Sequence, residues 1–194
     1  MTTTSSAHDK IVVCSGHMID APDRKEARFP ETKAEAVRAK IAIQLAKWEI
    51  GARDLAICGG ACGADILFGE ETLRRGAQLR LLLAQEIDAF IRNSVQHAGE
   101  QWVRRFHALC GQAKVEILPR DPSGPPNDIS IYGRNNLWII ETARTAATDP
   151  HQIHALLVWD EKPTGDGPGG TSDFQKKVCQ LGASLEIINP TKLP

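Results

Sequence analysis

The chain has 194 residues, enough for one domain of ordinary size with a core that needs no disulfide or metal to hold it. Lys and Arg total 23 against 24 Asp and Glu, and the net charge of −1 removes any long-range pull toward nucleic acid or an anionic membrane. The cysteines at 14, 58, 62, 110 and 179 form no Cys-x-x-Cys pair, which argues against a disulfide scaffold and a zinc ribbon and points to a reducing cytoplasm.

Residues 1–9 are polar and predict a disordered tail ahead of one domain spanning 10–194. No apolar run approaches the roughly 20 residues a bilayer span requires. Ile11-Val12-Val13-Cys14, ending in Ser15-Gly16, predicts a buried first strand leaving the sheet into a turn. After a loop rich in Pro and charge over 19–32, Ala34, Val37, Ile41, Leu45 and Trp48 recur at helical spacing, with Gly51 where a C-terminal cap belongs. The unit repeats: strand Leu55 to Cys58, turn Gly59-Gly60, helix Ala64 to Arg75 ending at Gly76, strand Leu79 to Ala84. A helical region over 86–110, broken near Gly99, would bury Ile87, Phe90, Ile91, Val95, Trp102, Phe106 and Leu109, and Val115 to Leu118 is a fourth strand. The long Pro-rich loop 119–130 reads as a lid or binding segment, followed by a helix from about Arg134 to Ala147. Ala155 to Trp159 is a fifth strand, a glycine-rich loop covers 164–171, Asp173 to Leu181 is a helix and Leu185 to Ile188 a sixth strand. Strict alternation of strands and helices predicts an α/β fold: a Rossmann-like, doubly wound, mainly parallel sheet in three layers, with ligands beyond the C-terminal strand ends.

Two loops on that edge are rich in glycine. In Gly59-Gly60-Ala61-Cys62-Gly63-Ala64-Asp65, three glycines permit positive φ and close approach of a ligand, and the helix that follows presents its positive end to phosphate. A tight strand-to-helix turn accounts for the same residues. Gly165-Asp166-Gly167-Pro168-Gly169-Gly170-Thr171 lies in the equivalent place, and Thr171 can cap the helix or bind a ligand oxygen. Ser15, Gly16, His17 and Asp20 end the first strand with a hydroxyl, a titratable ring and a carboxylate; His17 is either a ligand-edge hydrogen bonder or a local structural histidine. Arg134, next to Asn135, can clamp a phosphate or a carboxylate, or pair with Asp128 or Glu141. Asp160, Asp166 and Asp173 surround the second glycine loop, where they can hold ribose hydroxyls or remain solvated, and Trp159 can border a base. No metal-ligand spacing is present, and no cofactor is expected.

The order of these motifs resembles the SLOG superfamily, which joins DNA-processing proteins of the Smf type with the "lonely guy" enzymes. The similarity runs from an apolar strand ending in Ser-Gly, through Gly-Gly-x-x-Gly-Ala-Asp and Arg-Asn-Asn, to Pro-Gly-Gly-Thr, over roughly residues 10–190. It implies a Rossmann-like domain binding nucleotides or nucleotide-derived signals. In the enzymatic branch an Arg-Lys pair and a Pro-Gly-Gly-x-Gly-Thr-x-x-Glu loop cleave the N-glycosidic bond of nucleoside 5′-monophosphates. Matched onto this chain, the arginine falls on Arg134, the lysine position holds Asn135, and the loop falls on Pro168, Gly169, Gly170 and Thr171. The glutamate position holds Phe174, with Asp173 the nearest carboxylate. That departure places the chain nearer the sensor-like branches.

Two functions follow. A binding module would use Gly59, Gly60, Gly63, Gly169, Gly170 and Thr171 as donors to phosphate, with Arg134 neutralising charge. An N-ribosidase would use Arg134 to position substrate and Asp173, or failing that Asp160 or Asp166, to stabilise positive charge on the sugar. Single-strand DNA binding is disfavoured by the charge balance, and the resemblance implies a homodimer. All of this requires the turns at Gly59 and Gly165 to open into one hollow.

Overall fold

The computed structural model describes residues 8–119, 129–162 and 170–194. Six strands form one sheet, β1 (Ile11–Gly16), β2 (Leu55–Cys58), β3 (Gln78–Leu83), β4 (Lys114–Ile117), β5 (Ile153–Val158) and β6 (Ser184–Ile188). Their order is β4-β3-β2-β1-β5-β6, and every pairing is parallel. The central strands are mostly apolar because both faces are covered, as parallel sheets require, with Ser15 of β1 and His154 of β5 the polar exceptions.

Six α-helices cover those faces. α1 (Ala34–Lys47), α2 (Ala64–Arg74), α3 (Ile87–Ser94) and α4 (Glu100–Cys110) bury Val37, Ile41, Leu67, Phe68, Trp102 and Phe106 on one side. α5 (Ile131–Ala146) and α6 (Thr171–Gln180) bury Ile139, Ala143, Phe174 and Val178 on the other. The two clusters alternate along each strand: Val12 and Cys14 of β1 belong to the first, Ile11 and Val13 to the second. From β1 the chain winds outward to β4, then crosses by α5 to β5 on the far side of β1. β1 and β5 therefore flank the point where winding reverses, and a doubly wound sheet opens a crevice there, outside the strand C-termini.

Two expected details change. Gly51 does not cap α1; Glu49 takes the left-handed conformation (φ 54°), and the amides of Glu49 and Ile50 bond to the carbonyls of Ala46 and Leu45. Ile87 is 37% exposed, because α3 begins there and buries Phe90 and Ser94 one turn later. The break at Gly99 is present, with φ 102° between a short 3-10 turn and α4. Among the described residues no helix is long and apolar enough to cross a membrane.

Candidate functional site

A cavity of 640 Å³ opens at the switch point. Its walls come from the end of β1 (Ser15, Gly16), the loop after it (His17, Asp20, Arg24, Arg28), the β2–α2 turn (Gly59, Ala61, Asp65), the α3 region (Arg92, Ser94, His97) and the first turns of α5 and α6. That size lies within the range of small-molecule sites, roughly 300–1,000 Å³. Gly59 and Gly170-Thr171 face the same space. Gly165, Asp166, Gly167, Pro168 and Gly169 lie outside the described residues.

The glycines of the β2–α2 turn serve the crossing of two backbones. Gly63 has φ 92°, and a Cβ on it would meet the His17 carbonyl oxygen and the Ile19 nitrogen at 2.8 Å each. The loop after β1 passes directly over it, where the Ala64 amide donates to the His17 carbonyl (3.2 Å). Gly16 is equally constrained: a Cβ would stand 2.6 Å from the Val158 carbonyl oxygen and 2.8 Å from Ala64 Cβ. Gly60 has φ 84°, with Leu83 and Phe106 beside it, and it does not line the cavity.

The amides of this turn already have partners. Ala61 N–H donates to Asp65 Oδ2 (3.1 Å), and Cys62 N–H donates to the Ser94 carbonyl (2.9 Å). Burial pushes the Asp65 carboxyl up to about 7, against the opposing pull of the Ala61, Gly60 and Gly59 amides. Anion-binding donors are thus not in surplus here, because a carboxyl group of the protein occupies them. Among the described residues Asp65 Oδ1, though buried, has no hydrogen-bond partner, and neither does Asn135 Oδ1; both residues line the cavity.

Asn135 is held by its own Nδ2, which donates to the Leu82 carbonyl at 2.8 Å. It reaches the cavity because α5 turns the face Tyr132, Asn135, Asn136 and Ile139 toward it, a helical i, i+3, i+4, i+7 set. Arg134 lies off that face. Its Nη2 donates to the Pro119 carbonyl (3.4 Å), and it does not line the cavity. Glu141, one expected partner of Arg134, pairs with Arg144 instead, and Asp128 is outside the described residues.

On α6, Thr171 is buried and lines the cavity, while Asp173 pairs with Lys177 (3.5 Å) and does not line it. Phe174, at the position where the resemblance expects glutamate, is packed in the core. Trp159 is likewise buried in the core and takes no part in the cavity wall.

Asp160 anchors the opposite wall. Its side chain is fully covered and receives Arg28 Nε on Oδ2 (3.2 Å), with His17 Nε2 2.9 Å from Oδ1. Burial alone raises its pKa, but the hydrogen bonds of Arg28 and His17 outweigh that and hold it at about 2. Asp20 shapes the same loop, accepting the amides of Arg28 and Phe29 on Oδ2. Sequence reasoning placed His17 on the cavity wall, but Asp160, expected beside the ligand, lies covered behind His17 and Arg28 and does not line the cavity, and Arg24, Arg28 and Arg92 were missed. For Arg24 and Arg28 the available signal was the length of the 17–30 segment between β1 and α1, long enough to be a binding loop; Arg92, on α3, carried none.

The three buried cysteines are poor nucleophiles. Cys62 Sγ lies 3.5 Å from His97 Nε2, yet burial pushes its thiol up to about 12, and burial likewise holds Cys14 and Cys58 well above the ordinary thiol value. Among the described residues no group of three His, Cys, Asp or Glu is placed to hold a metal ion.

No family model matches this chain, and no curated protein matches it. Solved structures are similar, two of them as follows. DNA processing protein A (DprA) from Streptococcus pneumoniae matches at 17% identity and a TM-score of 0.43, over 93% of this chain and 59% of its own. The Moco carrier protein from Chlamydomonas reinhardtii matches at 10% identity and a TM-score of 0.37, over 95% of this chain and 92% of its own. The fold assignment itself rests on the strand order and the parallel pairings.

Proposed function

We propose that the cavity binds a nucleotide or nucleotide-derived, phosphate-bearing ligand, as a sensor or carrier rather than as a hydrolase. The observation that carries this reading is one 640 Å³ cavity lined both by arginines and by buried polar side chains with unpartnered oxygens. Arg24, Arg28 and Arg92 and the first turn of α6 supply positive charge and the positive end of a helix dipole on its walls. Asp65 and Asn135 supply buried, unpartnered oxygens elsewhere on it. A ligand with an anionic group and a hydrogen-bonding polar body satisfies both.

Binding is favoured over turnover because Arg134 and Asp173, the residues that hydrolysis would use, do not face the cavity. The phosphate is assigned to Arg92, Arg24, Gly170 and Thr171, with Arg28 held behind them by Asp160. Gly59 forms wall, leaving Gly60 and Gly63 to hold the turn. Ser15, Gly16 and His17 border the ligand where β1 ends. A homodimer is carried forward only as an expectation of the resemblance.

The test is mass spectrometry of small molecules released from purified, denatured protein, followed by calorimetry with AMP, cyclic AMP and ADP-ribose. A released nucleotide, or binding of one of these that weakens about tenfold in Arg92→Ala, is the expected result for the loss of one charge-assisted contact. Absence of both a released nucleotide and any binding sinks the reading. Release of adenine from AMP on incubation would overturn the sensor assignment in favour of a ribosidase.

A further inference from the structure

We propose that Asp65 and Asn135 form a subsite for the two ribose hydroxyls, so that the cavity selects ribonucleotides over their deoxy forms. This rests on the nucleotide reading above and assigns one region of the same cavity. Two side chains, 8% and 5% exposed, each leave an oxygen without a partner, Asp65 Oδ1 and Asn135 Oδ1, and both residues line the cavity. Buried polar atoms are nearly always paired, so two neighbouring exceptions in one cavity mark a place where a ligand completes the bonding.

The two groups are neighbours by construction. A Cβ placed on Gly59 would lie 3.0 Å from Asp65 Oδ2 and 3.5 Å from Asn135 Nδ2, so the carboxyl and the carboxamide converge over one residue that carries no side chain. Each is fixed by its other atom: Asp65 Oδ2 by the Ala61 amide, Asn135 Nδ2 by the Leu82 carbonyl. Neither can rotate to satisfy its free oxygen without breaking a bond it already makes.

What remains is two free acceptors, Asp65 Oδ1 and Asn135 Oδ1, on residues that line one cavity and meet at Gly59. Phosphate oxygens, which are acceptors themselves, are excluded from such a place. A ligand that brings two adjacent donors fits it, and the 2′- and 3′-hydroxyls of ribose are two adjacent donors; a carboxylate on a ribose hydroxyl is a recurrent pairing in dinucleotide sites. The arrangement also fixes the ligand's direction, sugar toward the β2–α2 turn and phosphate toward the arginines.

Isothermal calorimetry at pH 8 with AMP, 2′-deoxy-AMP and 3′-deoxy-AMP tests the assignment on the parent protein. Each deoxy nucleotide should bind about tenfold to a hundredfold more weakly than AMP, since it leaves a buried oxygen unpaired. In Asp65→Asn, AMP should fall toward the deoxy affinity and the ratio should approach one. Asn135→Ala gives the same readout should the first variant not fold. Equal binding of all three nucleotides to the parent overturns the ribose subsite and leaves the nucleotide reading standing. Binding of none of them removes both.

Discussion

Asp160 lies beneath Arg28 and His17 and ties the loop after β1 to the end of β5. Its carboxyl, held at about 2, is ionised in the folded protein well below the pH where an unfolded aspartate protonates. The folded state therefore binds fewer protons than the unfolded state between roughly pH 2 and 4, and stability rises with pH across that window. Asp65 acts in the opposite sense. Its carboxyl is pushed up to about 7, so the folded state holds the extra proton, and stability falls as pH rises from about 4 to about 7. Each limb has a slope of at most about 1.4 kcal/mol per pH unit, the value for one proton. Urea denaturation from pH 2 to 8 should show both limbs in the parent, loss of the acid limb in Asp160→Asn, and loss of the neutral limb in Asp65→Asn. Asp160→Asn should also cost about 3 kcal/mol or more at pH 7, because Arg28 is left buried beside a neutral amide. A cost below 1 kcal/mol would show that the loop is held by other contacts.

The elements carry their own signature in the chain, and the exceptions show where it fades. The strands were legible, most plainly at the centre of the sheet, where a buried parallel strand carries an apolar run, as in Ile11-Val12-Val13-Cys14 and Leu55-Ala56-Ile57-Cys58; the edge strands β4 and β6 are interrupted by Glu116 and Glu186. Helix phase was harder to read. Arg134 and Asn135 are adjacent in sequence but about 100° apart around α5, so only Asn135 meets the cavity. Arg28 was illegible because a loop has no period; its position comes from Asp20 turning the chain and Asp160 capturing the side chain. The end of α1 was misread because Gly51 attracts a cap assignment, whereas Glu49 adopts the left-handed cap and forces Trp48 and Ile50 into place on either side. A non-glycine residue in that conformation costs about 1–2 kcal/mol, offset partly by the roughly 0.5–1 kcal/mol of chain entropy that glycine would lose. Glu49→Gly should therefore raise stability by about 0.5–1 kcal/mol in urea denaturation, with no change in nucleotide affinity. A decrease would mean that the exposed glutamate side chain contributes more than the strain it carries.

At the scale of the molecule, the sheet separates two apolar layers, and the cavity at the edge where the strands end is lined from both. α1 to α4 pack on one face and α5 and α6 on the other, so a molecule seated in the crevice touches elements that otherwise share no core. Reversal of winding between β1 and β5 brings this about, since it sends the connections from neighbouring strands to opposite faces. Ligand binding then has a spatial consequence. Peptides from both layers should gain protection together in amide hydrogen exchange when a nucleotide saturates the site: 15–29 after β1, 90–97 at α3, 130–139 at the start of α5 and 170–174 at the start of α6. The opposite edge of the sheet, where Lys10 N–H donates to Asp54 and Asp54 caps the Gly51 turn, should stay unchanged apart from any global stabilisation. A ligand gripping only the β2–α2 turn would protect α2 and leave α5 and α6 untouched. Protection confined in that way would place the ligand outside the crevice, whatever its affinity.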